Sequence, residues 1–197
     1  MNTLKAEKRS MDVKAKRLRR EGYVTGNLFG REIEGSIPLK FTKKEIEVLL
    51  KNNNKGSQVM LELDGKTYDA LIKEVDYNPL AHTVEEVDFQ ALVSNEMVHS
   101  VAEIILENEE KVISGVLQDE LKEVAYKALP ADLIDKIKVD VAGMKIGDTL
   151  RVKDLEIAKN KNIHITTDME AVIATVTPVH NVVPETDTDT EEAAEEK

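Results

Sequence analysis

A mostly β fold of the α+β class is predicted for this chain by three observations. Apolar and polar residues alternate on either side of Asp64-Gly65, a two-residue hairpin signal. Beyond residue 97, short β-prone segments recur between turn residues at Gly115, Pro130, Gly143 and Gly147. Only two segments carry helical periodicity, and both are short.

The elements follow in order. Residues 14–22 form a short helical turn closed by Gly22, with Ala15 and Leu18 inward. Gly22-Tyr-Val-Thr-Gly26-Asn-Leu-Phe-Gly30 is dotted with glycine, which suits strand ends and turns that need backbone freedom. It is no phosphate loop, because Arg31-Glu32 stands where Gly-Lys-Ser/Thr is required. Thr42-Lys-Lys-Glu45 is a capping box opening a second helix, whose apolar face is Ile46, Leu49 and Leu50. Residues 59–63 and 67–75 are the strands of the hairpin, and 84–92 alternates as another strand. The pattern pauses at Ser94-Asn95-Glu96, where a domain boundary is placed. Segments 98–106, 111–117, 120–128, 137–141, 149–152 and 171–176 then read as strands of an antiparallel sandwich or barrel-like second domain.

Charge is distributed unevenly. The chain has 197 residues and a net charge of −11. Yet Lys5, Lys8, Arg9, Lys14, Lys16, Arg17, Arg19 and Arg20 face only Glu7 and Asp12 within the first twenty positions. A concentrated cationic arm on an anionic protein points to a directed polyanion contact, RNA or DNA first and a membrane surface second. Residues 1–93 carry 16 Lys and Arg against 15 Asp and Glu, whereas residues 94–197 carry 11 against 23. The second half is therefore a poor match for a phosphate backbone. After Pro184 an acidic, Thr- and Ala-rich stretch has too little apolar surface to offset its ordering entropy, so 179–197 is expected to be a disordered tail.

Several chemistries are disfavoured. Apolar content of 41% fits a folded domain, and no apolar run is long enough to span a membrane. The charged N-terminus lacks a secretory core, which fits a cytoplasmic protein. Without cysteine there are no disulfides and no thiolate chemistry. His82, His99, His164 and His180 lack metal-ligand spacing, and Thr186–Thr190 lacks the glycine and distal glutamate of a calcium loop. Ser114-Gly115 lacks the frame of a nucleophile elbow. Glu86 and Asp88 share a strand face; an acid/base pair is one reading, an exposed polar face the simpler one. No cofactor, metal, catalytic residue or small-molecule substrate is expected. On the first helix, Lys16, Arg19 and Arg20 share a face flanked by Arg17, spaced for phosphate contacts; a solvated helix face is the alternative.

Ordered landmarks then point to a family. Ala6-Glu-Lys-Arg9, Lys14-Ala-Lys-Arg-Leu-Arg-Arg-Glu-Gly22 and Leu28-Phe-Gly30 resemble the N-terminal signature of the bacterial large-subunit ribosomal protein that binds 5S ribosomal RNA, the general stress protein CTC family. Glu74-Val-Asp-Tyr-Asn-Pro79 and Val87-Asp-Phe89 are similar to its other landmark. Ser114-Gly-Val-Leu117, Leu129-Pro130, Val139-Asp-Val141, Ile146-Gly-Asp148 and Asp154-Leu155 match its longer, two-domain form. The resemblance covers about residues 3–178.

It implies an N-terminal six-stranded β-barrel with short helices at 1–93, an antiparallel β-rich domain at 94–178, and the acidic tail at 179–197. The barrel would dock on a 5S RNA helix whose non-Watson–Crick pairs alter the groove, an ordinary A-form major groove being too narrow for side chains. The implied RNA-binding set is Lys8, Arg9, Lys14, Lys16, Arg17, Arg19, Arg20, Phe29, Gly30, Glu86 and Asp88. Three positions depart from the family: Phe29 replaces a tyrosine, Thr25 replaces a proline as a turn-level change, and Glu86 replaces a histidine. A carboxylate at 86 should repel RNA phosphates by about 1–3 kcal/mol unless protonated or locally accommodated. The resulting expectation is a non-enzymatic, ribosome-associated structural component of the large subunit. Its partners would be 5S ribosomal RNA, that subunit and neighbouring ribosomal proteins. The alternative is a divergent stress-related paralogue with weakened RNA affinity, acting as a protein-interaction module.

Overall fold

Leu4 and Ala6 are buried while their neighbours are exposed, so β1 (Thr3–Lys8) is a strand with one face on a core, and the first residues of the cationic arm belong to the fold. The computed structural model describes residues 3–113 and 115–178; the expected acidic tail at 179–197 lies outside the described residues. After β1 come α1 (Ala15–Arg20), β2 (Tyr23–Phe29), β3 (Ser36–Thr42), α2 (Lys43–Asn52), β4 (Gln58–Leu63), β5 (Lys66–Asn78) and β6 (Thr83–Ala91).

These six strands close into a barrel in the order β1-β3-β2-β6-β5-β4. Closure comes from parallel pairing of β1 with β4, from Thr3 opposite Met60 to Ala6 opposite Leu63. A closed sheet leaves no edge for foreign strands. Leu28, Leu39, Phe41, Leu61, Ile72, Val87 and Phe89 fill the interior, with the Phe41 and Phe89 rings 5.4 Å apart and tilted by 55°. Each such side chain contributes about 1.5–3 kcal/mol on leaving water.

The hairpin at Asp64-Gly65 forms as expected, with both residues at positive φ (51° and 77°). The capping box forms too: Thr42 and Glu45 exchange side-chain hydrogen bonds, and Ile46 and Leu49 anchor α2 to the barrel. Gly22, at φ 88°, follows α1 as anticipated. The glycine-dotted stretch differs from expectation. It is a continuous strand, β2, and Gly26 sits in its middle at an ordinary φ. Space is the constraint there: a Cβ on Gly26 would lie 2.0 Å from the Val87 carbonyl oxygen, because β2 and β6 pair in parallel at close range.

The remaining strands are β7 (Val98–Glu107), β8 (Val116–Asp119), β9 (Glu123–Ala128), β10 (Lys136–Asp140), β11 (Thr149–Arg151), β12 (His164–Ile165) and β13 (Val172–Thr177). They build one sheet in the order β10-β7-β9-β12 and another in the order β11-β13-β8, around a second apolar core. Buried Tyr126 ties that core to the backbone: its hydroxyl donates to the Ile134 carbonyl (2.8 Å) and accepts from the Ile134 amide (2.7 Å).

Two expectations change here. Residues 111–117 are not one strand: Glu109–Lys111 form a 3₁₀ turn entered through Asn108 at φ 63°, and only Val116–Asp119 pair. The pairing is also not wholly antiparallel, because β7 and β10 run parallel. The long connection between them, which includes β8 and β9, makes that geometry possible.

The two halves meet at the loop after α2. A Cβ on Gly56 (φ 91°) would lie 2.0 Å from the Val101 carbonyl oxygen, so backbone packs on backbone there. Asn54 donates to Glu103 (2.6 Å), Lys73 donates to the His99 carbonyl (2.8 Å), and buried Ser57 faces Asp135. Burial raises the Asp135 carboxyl above its ordinary range, and the Ser57 hydroxyl partly offsets that.

Candidate nucleic-acid interface

Side chains on β2 alternate, so Val24, Gly26 and Leu28 face the core while Thr25, Asn27 and Phe29 face outward. On neighbouring β6, Val87 and Phe89 point inward and Glu86 and Asp88 outward. Parallel register sets Thr25 beside Glu86, and antiparallel register sets Asp76 of β5 on the other side of Glu86. The outer wall of the barrel therefore carries a polar strip made by residues about sixty positions apart in sequence.

α1 leans over one end of that strip. Arg19, half-buried, donates through Nε to the Glu85 carbonyl (3.1 Å) and through Nη2 to Glu86 (3.3 Å) and Thr25 Oγ1 (3.4 Å). Its Nη1 lies 3.4 Å from the Glu85 carboxylate. Thr25 is thus a fully buried strand residue that seats Arg19, and the departure expected in a turn lies in a sheet. Arg19 also does not share the outward face of Lys16 and Arg20: it is turned onto β6 while they stay exposed.

Asp88 accepts both the Asn27 amide N–H (2.9 Å) and the Asn27 side-chain Nδ2 (3.0 Å), and Nδ2 also reaches Glu86 (3.3 Å). Glu86 therefore sits among several charges: Asp88 and Asp76 repel its anion, and Arg19 and Arg9 favour it. Partial burial, followed by the Asp88 charge, holds its carboxyl above the ordinary carboxylate range. Among the described residues, no group of three or more His, Asp or Glu is arranged to hold a metal ion. The carboxylates instead act as acceptors for Arg19 and Asn27.

The expected site residues divide into four sets. Arg9, Arg19, Glu86 and Asp88 come together on the strip. Arg9 is held by its amide to the Pro38 carbonyl (2.9 Å) and by Nη2 to the Val13 carbonyl (3.2 Å), while its buried Nε has no partner among the described residues. Lys14, Lys16, Arg17 and Arg20 form an exposed cationic rim on and before α1. Arg17 is paired with Glu21 (2.8 Å), whereas Lys14, Lys16 and Arg20 have no carboxylate within ion-pair distance among the described residues. Phe29 and Gly30 end β2 farther along the wall, and Gly30 packs on Ala91. Lys8 stands apart, paired with Asp64 of the hairpin (2.7 Å) with both side chains well exposed. Sequence reading missed Asn27, whose only signal was its outward parity with Thr25 and Phe29 once the segment is taken as a strand.

The Ribosomal L25p family matches residues 4–89, and the family described as ribosomal protein TL5, C-terminal domain, matches residues 97–180. The large ribosomal subunit protein bL25 of Carboxydothermus hydrogenoformans is 32% identical to this chain over 181 residues, covering 91% of this chain and 89% of that protein. Its counterpart in Bacillus velezensis is 30% identical over 183 residues, covering 90% and 89%.

Proposed function

The chain belongs to the ribosomal L25p family in its form with a TL5-type C-terminal domain, and from that premise we propose that it is a structural component of the large ribosomal subunit that binds 5S ribosomal RNA through its N-terminal barrel. The role is architectural and non-catalytic, and it is exercised in the cytoplasm on the ribosome. Residues 1–93 are the RNA-binding domain in this reading and 94–178 a second, acidic domain.

The observation that carries the proposal is the exposed rim of Lys14, Lys16, Arg17 and Arg20 beside the outward strip of Arg9, Asn27, Glu86 and Asp88. Cations at the edge suit phosphates and fix register, and polar groups at the centre suit base edges or 2′-hydroxyls. Glu86 is compatible with this use because Arg19 and Asn27 occupy its oxygens, so its charge is compensated locally. Phe29 adds an aromatic surface on the same wall.

A salt titration of the full-length chain on its own 5S RNA tests the reading. Tight binding that weakens steeply with salt is the expected result. Weak, salt-insensitive binding would transfer the assignment to a paralogue that engages a protein. The capture of Arg19 by Glu86 and the excess of acid in residues 94–197 favour that second reading.

A further inference from the structure

We infer that Asn27 is a specificity-determining residue whose side-chain oxygen accepts one hydrogen bond from a donor on the bound RNA, an exocyclic amino group or a ribose 2′-hydroxyl. This rests on the RNA-binding reading and names the chemistry of its centre.

Asparagine is disfavoured inside strands, yet Asn27 sits in the middle of β2, in a parallel pair with β6. Two acceptors hold it there. Nδ2 donates to Asp88 Oδ1 (3.0 Å) and Glu86 Oε1 (3.3 Å), and the Asn27 amide N–H donates to the same Asp88 oxygen (2.9 Å). Carboxylates accept and do not donate when ionised, so the amide has one allowed orientation: nitrogen toward Asp88 and Glu86, oxygen away.

Both Nδ2 hydrogens are used, and among the described residues nothing donates to Oδ1. That oxygen is not a buried, unsatisfied atom, so it is open at the surface. A lone acceptor fixed by two carboxylates suits a neutral donor and cannot pair with a phosphate. It lies on the same wall as Arg9 and Arg19, whose charges offset the carboxylates behind it. Local preference is broken here in favour of a preorganised polar group, a pattern characteristic of recognition sites.

The test uses the full-length chain and 5S RNAs with single substitutions: inosine for guanosine, purine riboside for adenosine, pyrimidin-2-one riboside for cytidine, and 2′-deoxynucleotides. One substitution should weaken wild-type binding by about 5- to 150-fold, the range of a specific polar contact. The same substitution should cost Asn27→Ala nothing, while the other penalties stay the same. The silenced class tells an amino group from a 2′-hydroxyl. Equal penalties at every position in both proteins would overturn the inference while leaving RNA binding intact. Failure of the wild type to bind 5S RNA would overturn the functional reading and this inference with it. Asn27→Val, which suits a strand and has no acceptor, takes the place of the alanine variant if the unfolding midpoint of Asn27→Ala drops.

Discussion

The barrel and the second half of the chain handle charge and edges in opposite ways. In the barrel, closure removes strand edges, and several carboxylates of the outer wall are engaged by cations: Glu7 by Lys40, Asp64 by Lys8, Glu86 by Arg19. Lys14, Lys16 and Arg20, on and just before α1, have no such partner among the described residues and form an exposed cationic cluster. In the second half two small sheets stay open, and three cations are engaged: Lys138 with Glu107, and Arg151 and Lys153 with Glu170. Its surplus is acidic. Net charge alone would call the first half neutral, because it counts paired and unpaired groups alike. Surface ion pairs contribute little stability, so their main effect here is on which charges are left to meet a partner.

The largest expected effect breaks the barrel side. Gly26→Val drives a side chain into the Val87 carbonyl and should destabilise the barrel by about 3 kcal/mol or more, seen as a lowered denaturant midpoint and lost RNA binding together. A midpoint unchanged from wild type would mean that β2 and β6 have room to separate. Next, Tyr126→Phe breaks the other side. Stranding the Ile134 amide and carbonyl should cost about 1–3 kcal/mol in thermal unfolding while RNA affinity stays as it was. A matching fall in affinity would show that the two halves act as one in recognition.

Smaller effects sharpen the comparison. The double change Lys16→Ala and Arg20→Ala should lower the slope of log affinity against log salt by about 1.5, from two lost phosphate contacts. Arg151→Ala and Lys153→Ala should leave it unchanged. Arg19→Ala should change it by less than one contact's worth, because Glu86 and Glu85 already hold that guanidinium.

The smallest is a pH effect. Glu86 titrates above the ordinary carboxylate range, facing Asp88 and Asp76 as well as Arg19 and Arg9. Acidification through that value should tighten RNA binding a few-fold, by removing a negative charge and releasing Arg19. Glu86→Gln should show the tighter affinity at neutral pH and a flatter pH profile by filter binding. Because folding raises this group, its contribution to stability is complete below its unfolded value and is lost as pH rises through the folded one.

Much of the fold was legible because its signals are local. Asp64-Gly65 needs only two residues to define a hairpin, and the Thr42–Glu45 box only four. The cationic rim at Lys14, Lys16, Arg17 and Arg20 was visible as composition. Gly26 misled because glycine in a sequence does not say whether it supplies backbone rotation or space. The segment at 111–117 misled because β propensity does not reveal a turn forced by Asn108 at positive φ.

By itself, then, the sequence determined the strand-rich class, the hairpin, both helices and the clustering of positive charge, because each depends on residues within a few positions of one another. Only the tertiary structure decided that β1 closes on β4, that Arg19 turns from solvent to Glu86, and that Asp88 aims Asn27. Those choices depend on strand register between residues about sixty apart, and a one-residue slip would send the outward Asn27, Glu86 and Asp88 to the opposite face and leave Arg19 without its acceptor.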